Sequence, residues 1–147
     1  MRLEIISEKP VGVSRQVPVR FVHGMWSDAW CWAEHFMPYF AQHGYESFAL
    51  SLRGHGGSER VENIRRVTLK DYLHDLEDVT GRFERPPVLV LGAGNDMIMS
   101  AGDVYATGRR YDVEAVIFPD MAHCMMIEHG WQEVADRIIG WLAGCGI

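Results

Sequence analysis

Pro87-Val88-Leu89-Val90-Leu91-Gly92-Ala93-Gly94-Asn95-Asp96 is a continuous apolar run that stops at a glycine-rich turn. A short apolar run with no polar alternation reads as a strand covered on both faces. Working outward from it, helix patterns lie on either side. Upstream, Thr68 and Asp71 have capping-box spacing, and Leu69, Tyr72, Leu73, Leu76, Val79 and Phe83 follow at helical intervals. Downstream, Ser100 with Asp103 opens another helix, and residues 113–118 form a further strand. Trp131, Val134, Ala135, Ile138, Ile139 and Leu142 then mark an amphipathic closing helix.

The first half repeats the alternation. Residues 2–6 place Leu3 and Ile5 on one side of a leading strand, before a turn at Lys9-Pro10. Residues 18–22 read as a short buried strand stopped by His23-Gly24. Trp32, Phe36 and Phe40, with Met37 beside them, predict one helix across Pro38 that ends at Gly44. Residues 45–52 return to strand character through Phe48, Leu50 and Leu52, and a glycine-rich loop follows at residues 54–58. Strands alternating with helices predict an α/β fold: a reduced, mostly parallel sheet of about five or six strands flanked by helices. Residues 1–147 are expected to form a single compact domain, with its chemistry in the loops at the carboxyl ends of the strands.

Composition narrows the function. The chain of 147 residues is 48% hydrophobic and 23% charged, a globular profile with enough length for a real core. A formal charge of -6 and no basic cluster argue against nucleic acid as a partner. No apolar run reaches the length of a membrane span, and residues 1–10 carry no signal-peptide core. Cys31, Cys124 and Cys145 are irregularly spaced and odd in number, which predicts a reducing cytoplasm without a disulfide framework.

Four strand-end loops carry the chemistry. They are His23-Gly24-Met25-Trp26, Leu52-Arg53-Gly54-His55-Gly56-Gly57-Ser58, Gly92-Ala93-Gly94-Asn95-Asp96 and Pro119-Asp120-Met121-Ala122-His123. In that order they resemble the α/β-hydrolase superfamily, in particular small esterases and lysophospholipase-like or monoglyceride-lipase-like hydrolases. The resemblance implies an oxyanion and substrate loop at His23, Gly24, Met25 and Trp26, a triad acid at Asp96 and a triad base at His123. It gives Arg53, His55 and Ser58 a supporting role, and it implies a small-molecule substrate with no cofactor.

One part of the family plan is missing. Gly-x-Ser-x-Gly, the nucleophile elbow, does not occur in this sequence. Residues 86–90 resemble the elbow strand yet run straight into a segment that resembles the acid strand, so one strand serves for two. If that strand holds the elbow position, Gly94 stands where the nucleophile serine would be. The intervening strands and the cap are absent as well, in keeping with the short chain.

Each candidate has a plainer alternative. An Asp96–His123 pair suits a general base, because a carboxylate fixes the imidazole tautomer and stabilises the imidazolium. The same pair also serves as a purely structural hydrogen bond. Gly24 permits a loop with a backbone N–H for an oxyanion, or simply a tight turn. Trp26, Trp30 and Trp32 suit an acyl pocket, though core packing is the expectation for Trp32. His55 is expected to orient its loop, Ser100 to cap a helix, and Ser27 and Ser58 to bond within loops. Cys124 is expected to be a small buried hydrophobe. His23, His55, Asp96 and His123 together would suit zinc, and metal-bound hydroxide would then replace the missing nucleophile.

The expected function is therefore hydrolysis of small esters, lactones or thioesters by the Asp96–His123 pair and the oxyanion loop, without a serine nucleophile. The alternatives are a non-catalytic binding or assembly module, homodimeric through an exposed sheet edge, and a metal-dependent hydrolase. A shortened chain that fails to fold is disfavoured by intact caps and helix patterns on both sides of the junction.

Overall fold

In the computed structural model, which describes residues 1–80 and 88–147, the chain divides into two units, Met1–Arg85 and Pro86–Ile147. Phe83, Pro86 and Pro87, named above, lie outside the described residues. Five strands and five α-helices are described.

The N-terminal unit is built on β1 (Glu4–Glu8), β2 (Val19–Val22) and β3 (Ser47–Ser51), in the order β1-β3-β2. β2 runs parallel to β3, with Phe21 opposite Ala49, and β1 runs antiparallel to it. β3 buries Ser47, Ala49, Leu50 and Ser51, so both of its faces are covered, as expected for an inner strand. β1 departs from expectation. Ile5 is exposed, and the half-buried positions are Glu4 and Ile6, because the Glu4 carboxylate has partners on β3 and in the glycine loop.

The predicted helix over Trp32–Phe40 is two helices, α1 (Trp30–Ala33) and α2 (Phe36–Gln42). His35, at φ -129°, breaks the helical path between them. Pro38 then falls in the first turn of α2, where its missing N–H has no intrahelical partner to lose. Phe36, Met37 and Phe40 of α2 are fully buried with Tyr45. Phe21 of β2 stacks on Trp32 at 5.0 Å and meets Phe40 edge-on at 5.2 Å, so this aromatic cluster is the core of the unit. Gly44 stops the chain as predicted: its φ is +88°, and a Cβ there would lie 2.6 Å from the Val13 carbonyl oxygen.

α3 (Leu69–Thr80) begins at the expected capping box: Asp71 Oδ2 accepts the Thr68 N–H at 2.8 Å, and Thr68 Oγ1 accepts the Asp71 N–H at 3.3 Å. Its apolar stripe needs correcting. Leu69 and Leu73 are exposed, Tyr72, Leu76 and Val79 are half-buried, and the buried position of the helix is Asp75. An ion pair described below turns the helix so that this carboxylate faces inward.

The C-terminal unit has a parallel pair, β4 (Val90–Ala93) and β5 (Ala115–Phe118), joined through α4 (Ala101–Tyr111) and followed by α5 (Trp131–Gly144). Parallel strands need such a crossover, and α4 supplies it. Ser100 and Asp103 form the predicted capping box at its start. The five strands fall within the expected number, and two of the three ladders are parallel. This is a reduced α/β-hydrolase-like arrangement in small sheets flanked by helices.

Candidate functional site

Parallel pairing in the C-terminal unit sets Ala93 opposite Phe118, so the loops after β4 and β5 leave the same edge together. They are then tied to each other: the Gly94 N–H donates to Phe118 O at 2.8 Å and the Asn95 N–H to Met121 O at 2.8 Å. Asp96 and His123 follow these ties. Asp96 Oδ1 accepts the N–H groups of Ile98 at 2.7 Å and Met99 at 3.0 Å. Its Oδ2 lies 2.9 Å from His123 Nδ1.

The two side chains differ in exposure, with the carboxylate 8% exposed and the imidazole 45% exposed. Burial pushes the Asp96 carboxyl upward. The bonds from Met99, His123 and Ile98 outweigh burial and hold it below the ordinary aspartate value. An ionised carboxylate at Oδ2 places the imidazole hydrogen on Nδ1 and a lone pair on Nε2. Among the described residues Nε2 makes no hydrogen bond. That is the form a general base needs.

Gly94 has no room for a nucleophile. A Cβ there would lie 2.5 Å from Pro119 O and 2.8 Å from Pro119 Cα, both backbone atoms that cannot rotate aside. The strand ends in an acid loop that passes close against β5's loop. Gly94→Ser is expected to destabilise the C-terminal unit by about 1–3 kcal/mol and to create no nucleophile. Chemical denaturation checks this; an unchanged midpoint would show that the loops can part.

In the N-terminal unit the sequence candidates take different roles. His23 is buried, its Nδ1–H donates to Gly24 O at 2.7 Å, and its Nε2 accepts the Leu52 N–H at 3.0 Å. With both ring nitrogens committed, its side chain braces the loop from Gly24 to Leu52. Gly24, Met25 and Trp26 are exposed, and Trp26 has φ 65°, a strained value for a bulky residue. Such strain is frequent at functional loops. Trp30 is exposed and Trp32 packs on Phe21 as expected.

Burial lowers the His23 pKa, and His55 at 4.9 Å adds to this, against a raising effect of the Gly24 bond and Asp28. A histidine held neutral in the fold stabilises it above the ordinary histidine pKa. As pH falls below about 6.5 the unfolded chain gains a proton that the folded chain refuses, so stability falls. Unfolding midpoints should drop between pH 7 and 5, above the range where the carboxylates titrate, and His23→Gln should flatten that slope. An equal slope in the variant would assign the effect elsewhere.

Arg53 is clamped by a carboxylate that sequence reasoning missed. Asp75 of α3, 1% exposed, accepts Arg53 Nη2 at 2.7 Å, Nε at 3.0 Å and the Arg53 backbone N–H at 3.0 Å. Asp71 adds a longer contact at 3.4 Å. The Asp75 bond holds the guanidinium above its ordinary pKa, against partial desolvation. The available signal was a lone acid between Tyr72 and Leu76 on the predicted apolar stripe. His55 Nδ1 lies 3.1 Å from Arg53 O. The buried Ser58 hydroxyl donates to Ser51 O and accepts the Glu4 N–H. Glu4 was missed too: its Oε2 accepts from Ser51 Oγ at 2.6 Å and from the Gly57 N–H at 2.9 Å, which lowers its pKa. These bonds make the Arg53–Ser58 loop a braced turn.

Among the described residues, no group of three or more His, Cys, Asp or Glu side chains is placed to hold a metal ion. The His23 bonds to Gly24 and Leu52 give the physical reason at that position. Cys124 is exposed rather than buried, because its neighbour His123 and the residues around it form an open turn.

Residues 21–92 match the model of the Alpha/beta hydrolase family. That stretch is 72 of the 147 residues, and it carries the likeness to α/β-hydrolases. The match takes in both N-terminal loops and ends before Asp96 and His123, which the geometry joins. Among solved structures the chain is similar to one titled "Epoxide hydrolase CorEH without ligand", at 17% identity and a TM-score of 0.37. That likeness covers 80% of this chain and 39% of the other, so this chain spans about two fifths of that structure's length. No curated protein matches the chain. Among the described residues, no helix is long and apolar enough to cross a membrane.

Proposed function

We propose that this chain is a hydrolase that cleaves small esters, lactones or thioesters with Asp96 and His123 as an acid–base pair that activates water directly. The observation that carries the proposal is the 2.9 Å contact of Asp96 Oδ2 with His123 Nδ1, on an imidazole whose Nε2 is free of protein partners among the described residues. His123 Nε2 takes a proton from water as the oxygen attacks the carbonyl, and Asp96 stabilises the imidazolium. The proton then passes to the leaving oxygen or sulfur. Without a covalent serine intermediate the reaction is expected to be slow. The test is hydrolysis of short p-nitrophenyl esters by purified protein, with no dependence on added metal. Activity abolished by a chelator and restored by zinc would overturn this mechanism.

A second reading, a binding or assembly module, is favoured by one observation. Met97, Ile98 and Met99 directly after Asp96 are all exposed, Met97 to 96%. It predicts a homodimer by light scattering, whereas a well-behaved monomer speaks against it.

A further inference from the structure

The segment between β5 and α5 carries His123, and its course is set by a chain of turns. The Ile127 and Glu128 N–H groups both donate to Cys124 O, at 2.9 and 3.3 Å, and the Trp131 N–H donates to Glu128 O at 3.1 Å. These turns fold the segment back on itself. The Glu128 carboxylate thereby reaches the start of the loop, where Oε2 accepts the Ala122 N–H at 2.9 Å. Ala122 is the residue directly before His123.

The other Glu128 oxygen is the unusual feature. Oε1 is buried and has no hydrogen-bond partner among the described residues. A buried carboxylate oxygen without a donor costs more than one additional hydrogen bond returns. Ala122 is itself exposed, so water could have satisfied its N–H at no such cost. The clasp is therefore an expensive way to satisfy one amide, and it makes sense only if the place of that amide matters.

His123 depends on that place. On the acid side, Gly94 and Asn95 pin residues 118 and 121 through their backbone bonds. Beyond Met121, the Glu128 bond to Ala122 is the next anchor, and His123 itself makes no backbone hydrogen bond through its N–H among the described residues. The ring has a single side-chain partner, Asp96. An exposed imidazole on an unanchored backbone would swing away from one carboxylate.

We propose that Glu128 is a positioning residue for His123: by clasping the Ala122 N–H it fixes the backbone from which the imidazole meets Asp96. The proposal rests on the acid–base reading of that pair for its effect on rate, while its structural part is measurable without any activity. The experiment uses the full chain and two variants, Glu128→Gln and Glu128→Ala. Glutamine keeps an acceptor oxygen for Ala122, whereas alanine removes it. By proton NMR, the low-field His123 Nδ1–H signal should persist in wild type and Glu128→Gln and disappear in Glu128→Ala. Ester turnover should fall about tenfold in Glu128→Ala through kcat with KM unchanged, and stay within about twofold in Glu128→Gln. A folded Glu128→Ala chain with the wild-type Nδ1–H signal overturns the proposal. If that variant does not fold, amide exchange on the wild-type chain decides. A protected Ala122 N–H supports the clasp, and exchange at the rate of a free peptide overturns it. If the wild-type chain hydrolyses no ester, the acid–base reading falls, and the NMR and exchange results still judge Glu128.

Discussion

Asp75→Ala is expected to destabilise the N-terminal unit by about 3–5 kcal/mol, the cost of removing one partner from a buried ion pair. Asp75 is 1% exposed and serves the Arg53 guanidinium and the Arg53 backbone N–H together. Alanine would leave both donors without their main acceptor beside a helix face that covers most of the guanidinium. The remaining contact to Asp71, at 3.4 Å and at a more exposed carboxylate, is too weak to take over. Asp75→Asn keeps one acceptor oxygen and loses the charge, so its cost should be smaller, about 1–3 kcal/mol. Urea denaturation followed by circular dichroism reads the difference. A loss below about 1 kcal/mol in the alanine variant would mean that the pair behaves as a surface contact, and the bracing of the Arg53–Ser58 loop would have to be sought in Glu4 and Ser51.

Asp96→Asn is expected to leave the fold intact and lower ester turnover by about 10²–10⁴-fold. The amide oxygen of asparagine can still accept the N–H groups of Ile98 and Met99, so the loop keeps its shape. The amide nitrogen then faces His123 Nδ1, where the carboxylate oxygen was. A donor at that position forces the ring hydrogen onto Nε2 and removes the lone pair that accepts the proton from water. The imidazolium also loses its countercharge. An unchanged midpoint with lost turnover separates this effect from unfolding. Turnover equal to wild type would show that Asp96 acts only as a loop-forming residue through its Oδ1 bonds.

Legibility in the sequence followed the range of the interactions. Local signals were read correctly: the capping boxes at Thr68 and Ser100 and the glycine stop at Gly44 depend on residues within one turn. The Asp96–His123 contact was reachable through the order of strand-end loops, since parallel pairing of β4 and β5 brings those loops to one edge. Partners fixed only by tertiary packing were not reachable. The partner of Asp75 is Arg53, 22 positions away in sequence, and those of Glu4 are Ser51 and Gly57, 47 and 53 positions away, so no local pattern pairs them. His23 sat inside a motif read for substrate contact, yet its ring ties Gly24 to Leu52 across two strand ends. The aromatic spacing of Trp32, Phe36 and Phe40 foretold the core but not the break at His35, because a helix period does not register one residue leaving the helical path.

The most direct measurement compares purified wild-type protein with His123→Ala on a short p-nitrophenyl ester, both against the buffer rate. His123 is exposed on its free side, so its removal should cost little stability and the two proteins are comparable. The predicted result is slow wild-type hydrolysis above buffer that falls to the buffer rate in His123→Ala. Equal rates in the two proteins, or a wild-type rate no higher than buffer, would contradict the role of the Asp96–His123 pair as the base that activates water.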